Sequence, residues 1–215
     1  MKKLAIFGAS GHGKVVADLA ELLDYKVTFF DDAYPDKKSI EHWLIAGNRN
    51  DLFELSNLYD YAVVAIGNNQ IRNTLSITLI NEGFKMPTLI HPTSVISKYS
   101  NISEGSVIFA NVVVNAFAQV GRNCIINTGA IVEHDCVIGL ATHLSPNVAL
   151  AGGTKIGDFS WLGIGSVTKQ LVEIGDHTII GANSTVISII PSNVTAVGSP
   201  AVIIKYNQRI LNVKH

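Results

Sequence analysis

From Ile102 onward an aliphatic residue falls at every sixth position: Ile102, Ile108, Val114, Val120, Ile126, Val132, Ile138, Leu144, Leu150, Ile156 and Leu162, then Ile174, Ile180 and Val186. Thr168 interrupts the series once without breaking its phase, so 14 of 15 positions match. A six-residue period of this length is the mark of a β-helix, whose short strands stack coil upon coil. Two residues before each match stands a small or β-branched residue, among them Val112, Ala118, Cys124, Ala130, Cys136, Thr142, Val148, Thr154, Ser160 and Ser166. Alternate residues of a strand share a face, so both sets point inward. Cys124 and Cys136 therefore read as core filler, and two cysteines make neither a disulfide framework nor a four-ligand zinc site. Gly121, Gly139, Gly157 and Gly175 recur every 18 residues, which makes three hexapeptides one triangular coil.

The first part of the chain has a different period. Leu4 to Phe7 reads as a buried strand, Val15 to Leu23 as helix, Lys26 to Phe30 as a strand ending at Asp31-Asp32, and Ala62 to Ile66 as a third strand. Asn69 to Glu82 reads as a helix closed by Gly83, while Pro35 to Asn50 shows no period and reads as loop. The pattern changes at Ile90-His91-Pro92-Thr93, which divides the chain into an α/β, Rossmann-like domain (1–90) and an all-β repeat domain with a C-terminal tail (91–215). Residues are 47% hydrophobic and 15% charged, and Lys+Arg 16 against Asp+Glu 17 leaves a formal net charge of −1. That balance supplies no basic field for nucleic acid or an anionic membrane. No apolar run approaches the roughly 18 residues of a membrane span, and Leu4 to Phe7 is too short for a signal peptide, so a cytoplasmic protein is expected.

Gly8-Ala9-Ser10-Gly11-His12-Gly13 follows a strand and opens a helix, where backbone N–H groups and the positive helix end can cradle a diphosphate. The spacing approaches a Walker A loop, but Val15 stands where a magnesium-binding Ser or Thr is required, which argues against an NTPase. It is not G-x-G-x-x-G either. Asp32, just after the second strand, is placed for a sugar hydroxyl.

These segments, together with Ala65-Ile66-Gly67-Asn68-Asn69, Leu89-Ile90-His91-Pro92, Glu133-His134-Asp135-Cys136-Val137-Ile138-Gly139 and Val197-Gly198-Ser199-Pro200-Ala201, run in the order seen in one subgroup of hexapeptide-repeat acyltransferases. Over nearly its whole length the chain resembles the bacterial amino-sugar acetyltransferases of the bacillosamine pathway and their sialic acid O-acetyltransferase relatives. The resemblance implies a left-handed parallel β-helix, a handedness that the crossover rule would not supply, and a homotrimer. It further implies acetyl-CoA as co-substrate, no metal, and a UDP-amino sugar bound by Gly11, His12, Gly13, Asp31, Asp32 and Gly67. His143, Ile164, Gly181 and Ala182 would line the acetyl-CoA groove, with Gly152 leaving room at the reacting end. His134 aligns with the catalytic base. Acyl transfer to a sugar amine needs such a group, because an ammonium cannot attack a thioester until its proton is removed. Bacillosamine-type enzymes carry Glu beside the base, whereas Asp135 stands here, with Glu133 as a possible substitute.

The coil repeat adds geometry. Gly152 is His134 plus 18 and shares its corner; Trp161 is His143 plus 18 and shares its face; Ala182 stacks on Ile164. His134 and His143 are half a coil apart, so they lie on opposite sides of the prism, and a three-fold assembly with sites between subunits would bring base and groove together. Outward Val107, Val113, Ile125, Ile131 and Val137 would supply its interface. The expected activity is N-acetylation of a UDP-4-amino-4,6-dideoxy-N-acetyl-hexosamine for glycan biosynthesis. Sugar O-acetylation, a zinc-dependent carbonic anhydrase of the γ type and a non-catalytic nucleotide-sugar-binding trimer are the rivals; the zinc enzyme is disfavoured because His134 and His177 lie more than two coils apart.

Overall fold

The apolar run Leu4–Phe7 has no exposed face because both sides of its strand are covered. In the computed structural model, which describes residues 2–207, β1 (Lys2–Phe7) pairs in parallel with β2 (Tyr25–Phe30) and β5 (Tyr61–Val64). Leu4 and Ile6 pack on Val16, Ala17, Leu19 and Ala20 of α1 (Gly11–Leu22). Ala5 and Phe7 pack with Leu52 of α2 (Arg49–Glu54) and with Leu75 and Leu79 of α3 (Asn69–Asn81). The segment read as loop holds a hairpin instead, β3 (Ser39–Ile40) and β4 (Trp43–Gly47), giving the order β3-β4-β2-β1-β5. Its alternation is hidden because both faces of Trp43–Gly47 carry apolar residues: Ile45 is buried while Leu44 is exposed. Because β1 lies between β2 and β5, the carboxyl ends of these strands open the crevice where ligands bind in sheets of this kind. The loop from Gly8, Asp31 and the Ala65–Gly67 segment all emerge there.

From Leu89 the chain winds as a left-handed parallel β-helix with two-residue strands on three faces. Face I runs in six strands from Val95–Ile96 to Thr185–Val186, and face II in five from Asn101–Ile102 to Glu173–Ile174. Face III has eight strands, from Leu89–Ile90 to Val202–Tyr206. Register follows the 18-residue coil as far as Val186, as in His143 beside Trp161 and Ile179, after which the longer strand Val194–Val197 pairs with Ile179–Ile180 and the final strand Val202–Tyr206 runs antiparallel to it. The inward residues form one continuous core. Thr168 is tolerated there because its hydroxyl accepts the Ala151 N–H at 3.0 Å and bonds the Thr154 hydroxyl at 2.9 Å, so the hydroxyl is not left unpaired. Burial pushes the Cys124 thiol up to about 12, as befits core filler.

The outward apolar set has two fates. Val107 and Ile125 are buried against the chain's own amino-terminal unit, in a cluster with Leu4, Ile6 and Phe109, so they are not free to bind another copy. Ile131 and Val137 remain exposed.

Candidate active site

His134 follows the face I strand Ile131–Val132 and stands, exposed, at the corner between faces I and II. Its Nδ1 lies 2.8 Å from Asp135 Oδ2, so a proton on Nδ1 donates to the carboxylate and Nε2 keeps its lone pair. Glu133 accepts the His134 backbone N–H at 3.2 Å and does not touch the ring. A Cβ built on Gly152 would come within 2.5 Å of His134 Nε2. The space above Gly152, where the sequence suggested room for a ligand, is filled by the His134 imidazole itself.

His143 lies on face III, opposite that corner. Its ring stacks on Trp161 with centroids 5.7 Å apart and planes 3° from parallel, and Nε2 is 3.3 Å from Asn127 Nδ2. Burial, then the Arg72 charge, depresses its pKa to about 3, so it is a neutral hydrogen-bonding group at working pH. Two cavities share this face. One, of about 460 Å³, lies between the start of α3 and the prism, lined by Gly67, Asn68, Asn69, His143, Phe159 and His177 among others. The other, of about 390 Å³, is lined by Ser145, Pro146, Gly163, Ile164, Gly181 and Ala182 among others; Trp161 and Ile179 border both. Ile164, Gly181 and Ala182 thus meet in one groove, while Gly67 and His143 meet in the other.

The remaining residues of the expected sugar site stay in the amino-terminal crevice, and several carry structural duties. Asp31 accepts the N–H groups of Ala9 at 2.6 Å and Ala33 at 2.9 Å, holding the glycine-rich loop. Asp32 pairs with Arg49 at 2.6 Å. Gly13 is packed so tightly that a Cβ would strike the Gly8 carbonyl, whereas Gly11 faces open space. The His12 ring meets Phe109 edge-on at 5.7 Å, and its Nε2 is buried without a partner. Burial, then Arg72, lowers its pKa to about 4. No group of three or more His, Cys, Asp or Glu residues among those described is arranged to hold a metal ion.

Sequence reasoning missed Phe159, His177 and the Asn69–Arg72–Asn73 anchor. Asn69 Nδ2 donates to the carbonyls of Phe159 at 3.0 Å and Ser160 at 3.1 Å. Arg72, 2% exposed, reaches Asn123 and Ala141, and Asn123 donates to Asn73 at 2.9 Å. Their only signal was the polar stripe on α3, which a solvent-facing helix would also carry.

The comparisons with known proteins fit this geometry. Residues 3–79 match the PglD N-terminal domain family. Perosamine N-acetyltransferase from Caulobacter crescentus, solved with CoA and GDP-perosamine, is 35% identical with a TM-score of 0.91, covering 94% of this chain and 97% of that one. GDP-perosamine N-acetyltransferase of Escherichia coli O157:H7 is 30% identical over 94% of this chain and 96% of its own length. The chain belongs to the hexapeptide-repeat sugar N-acetyltransferases. Within this acetyltransferase family, the acetyltransferase domain of PglB from Neisseria gonorrhoeae, solved with acetyl coenzyme A, is 38% identical with a TM-score of 0.91 over 94% of this chain and 99% of that one. UDP-N-acetylbacillosamine N-acetyltransferase of Bacillus subtilis is 38% identical over 51% of this chain and 52% of its own length.

Proposed function

We propose that this acetyltransferase transfers the acetyl group of acetyl-CoA to the amine of a nucleotide-linked 4-amino-4,6-dideoxy sugar, with His134 as general base. The observation that carries the reading is the His134–Asp135 pair, whose Nδ1 is committed to the carboxylate and whose Nε2 is unburdened beside Gly152. Nε2 takes a proton from the sugar amine as its nitrogen attacks the thioester carbonyl. The C–N bond forms, the C–S bond breaks, and the proton passes from His134 to the departing CoA thiolate. Asp135 holds the tautomer and balances the imidazolium, the orienting role a carboxylate plays beside a catalytic histidine.

Acetyl-CoA occupies the groove of Ile164, Gly181 and Ala182, and the nucleotide sits in the crevice of Gly11, His12, Gly13, Asp31, Asp32 and Gly67. Since base and groove lie on opposite sides of one prism, the working unit is a homotrimer with sites between subunits. The sugar donor of the amine is UDP-linked, of bacillosamine type. GDP-perosamine is the second reading, favoured by the two relatives that match almost end to end. The reaction belongs in the cytoplasm, beside other steps of glycan precursor synthesis.

The test is CoA release on mixing purified protein and acetyl-CoA with UDP-4-amino-4,6-dideoxy-N-acetylglucosamine, GDP-perosamine or sialic acid. Turnover with one amino sugar, unaffected by EDTA, is expected. Preference for sialic acid would establish O-acetylation instead, and binding of a nucleotide sugar without turnover would leave a non-catalytic trimer.

A further inference from the structure

Arg72 is a buried cation with no anion. Its five N–H groups are all used: Nε donates to the Asn123 carbonyl at 2.8 Å, Nη1 to Ile66 at 3.0 Å and Gly67 at 3.2 Å, and Nη2 to Asn69 Oδ1 at 2.8 Å and the Ala141 carbonyl at 2.7 Å. Every partner is neutral, and none of the ion pairs among the described residues includes it. The hydrogen bonds are satisfied, but the charge is not. A guanidinium so placed is costly unless a counter-charge arrives, because burial weakens the solvent's compensation. The charge borders the crevice through the Ile66 and Gly67 carbonyls that it holds, and Arg72 lies close enough to His12, in the first turn of α1, and to His143 on face III for its charge to help hold both neutral. The N-termini of α1 and α3 open on the same side of the sheet, with Gly67 at the start of α3 fixed by Arg72 itself.

We propose that Arg72 is a positioning residue for the nucleotide diphosphate, clamping the Ile66–Asn69 segment to the prism and supplying from behind the positive charge that the diphosphate neutralises. This rests on the nucleotide-sugar reading. Having no free N–H, Arg72 acts through the segment it holds and through its field, without touching the ligand. The rival source of charge is Lys37, whose ammonium bonds the Ala9 carbonyl in the glycine-rich loop and is more open to solvent.

The experiment is calorimetric titration of UDP, GDP and the two nucleosides into the full chain and its variants. Wild type should bind one diphosphate at least tenfold tighter than its nucleoside. A buried charge is screened little by salt, so raising salt from about 50 to 500 mM should change that preference by less than about threefold. Arg72→Gln should remove most of the preference, Arg72→Lys should retain more of it, and acetyl-CoA affinity should stay within about twofold. An unchanged preference in Arg72→Gln, its loss in Lys37→Met, or equal weakening of nucleoside and diphosphate would overturn the proposal. If the Arg72 variants do not fold, the wild-type salt series and Lys37→Met decide. A wild type that binds neither diphosphate while remaining folded would instead sink the nucleotide-sugar reading itself.

Discussion

Each turn of the prism ends on a residue in the left-handed backbone region, and the type of residue that stands there differs from corner to corner. At the corner between faces III and I these positions are Asn111, Gly129, Asn147, Gly165 and Asn183, the types that bear a positive φ best. The other two corners place Phe117, Ala141, Phe159, Leu171 and His177 in the same conformation, at roughly 1–2 kcal/mol each. Phe159 and His177 line the larger cavity, and Ala141 presents its carbonyl to Arg72. Phe117 and Leu171, exposed at 61% and 77%, share the corner of Asp135, one coil below it and two coils above. The hexapeptide pattern was legible because aliphatic residues repeat; these departures were present in the same string but become visible only once the corner phase is known. At this scale the base makes the firmest expectation. His134→Ala should lower kcat by roughly 10² to 10⁴ with acetyl-CoA affinity nearly intact, the usual worth of a positioned general base. Gly152→Ala, whose new methyl must displace the imidazole, should lower kcat by about tenfold or more without loss of thermal stability. Full activity in Gly152→Ala would move the base elsewhere.

At the scale of elements, the strands and helices around Asp31 and Gly67 were readable from period and punctuation. The hairpin β3–β4 was not, because its apolar residues do not alternate with polar ones. Nor was the docking of α3, which depends on side chains reaching carbonyls 51 to 91 residues away. Two glycines of the first loop, one tightly packed and one open, separate structure from binding. Gly13→Val should unfold or markedly destabilise the protein, whereas Gly11→Val should fold and raise KM for the nucleotide sugar far more than for acetyl-CoA; equal effects in steady-state kinetics would dissociate Gly11 from the sugar. The seam between α1, α3 and the prism also sets a pH dependence. His12 and His143 are neutral in the fold, with pKa values lowered to about 4 and about 3, while the unfolded chain protonates them near 6.5. Stability they allow above about pH 6.5 is lost as pH falls toward 4, because the unfolded state takes up the protons. Urea unfolding of wild type should therefore weaken between pH 7.5 and 5.5, and His12→Gln should flatten that slope. Parallel slopes would mean His12 is solvated.

For the whole molecule, the coil repeat predicted opposite placement of His134 and His143, and the structure has His134 on the I/II corner and His143 on face III. What the repeat could not reveal was that Val107 and Ile125 serve the amino-terminal unit of the same chain, since a six-residue period records only that a residue points outward. A site shared between subunits has a numerical consequence. Equal mixtures of His134→Ala and Ala182→Trp, dissociated and reassembled, should recover about 25% of wild-type activity: about three quarters of random trimers are mixed, and each has one intact base facing one intact groove among three interfaces. No recovery in mixed trimers verified by mass would confine each site to a single chain.

The anchor of α3 has a bearing on symmetry. A β-helix is nearly a lattice in one dimension, and a slide by one coil of about 4.8 Å maps its backbone onto itself. Nothing in such a backbone says which coil is the first. One turn of α3 breaks that equivalence: Asn69 meets Phe159, Arg72 meets Ala141, and Asn73 meets the side chain of Asn123. Slid by one coil, Asn73 would face Ala141, which has no side-chain donor, and Arg72 would meet the bulk of Phe159. Three side chains thus give an otherwise originless lattice an address, and every distance from the amino-terminal crevice to His134 is counted from it.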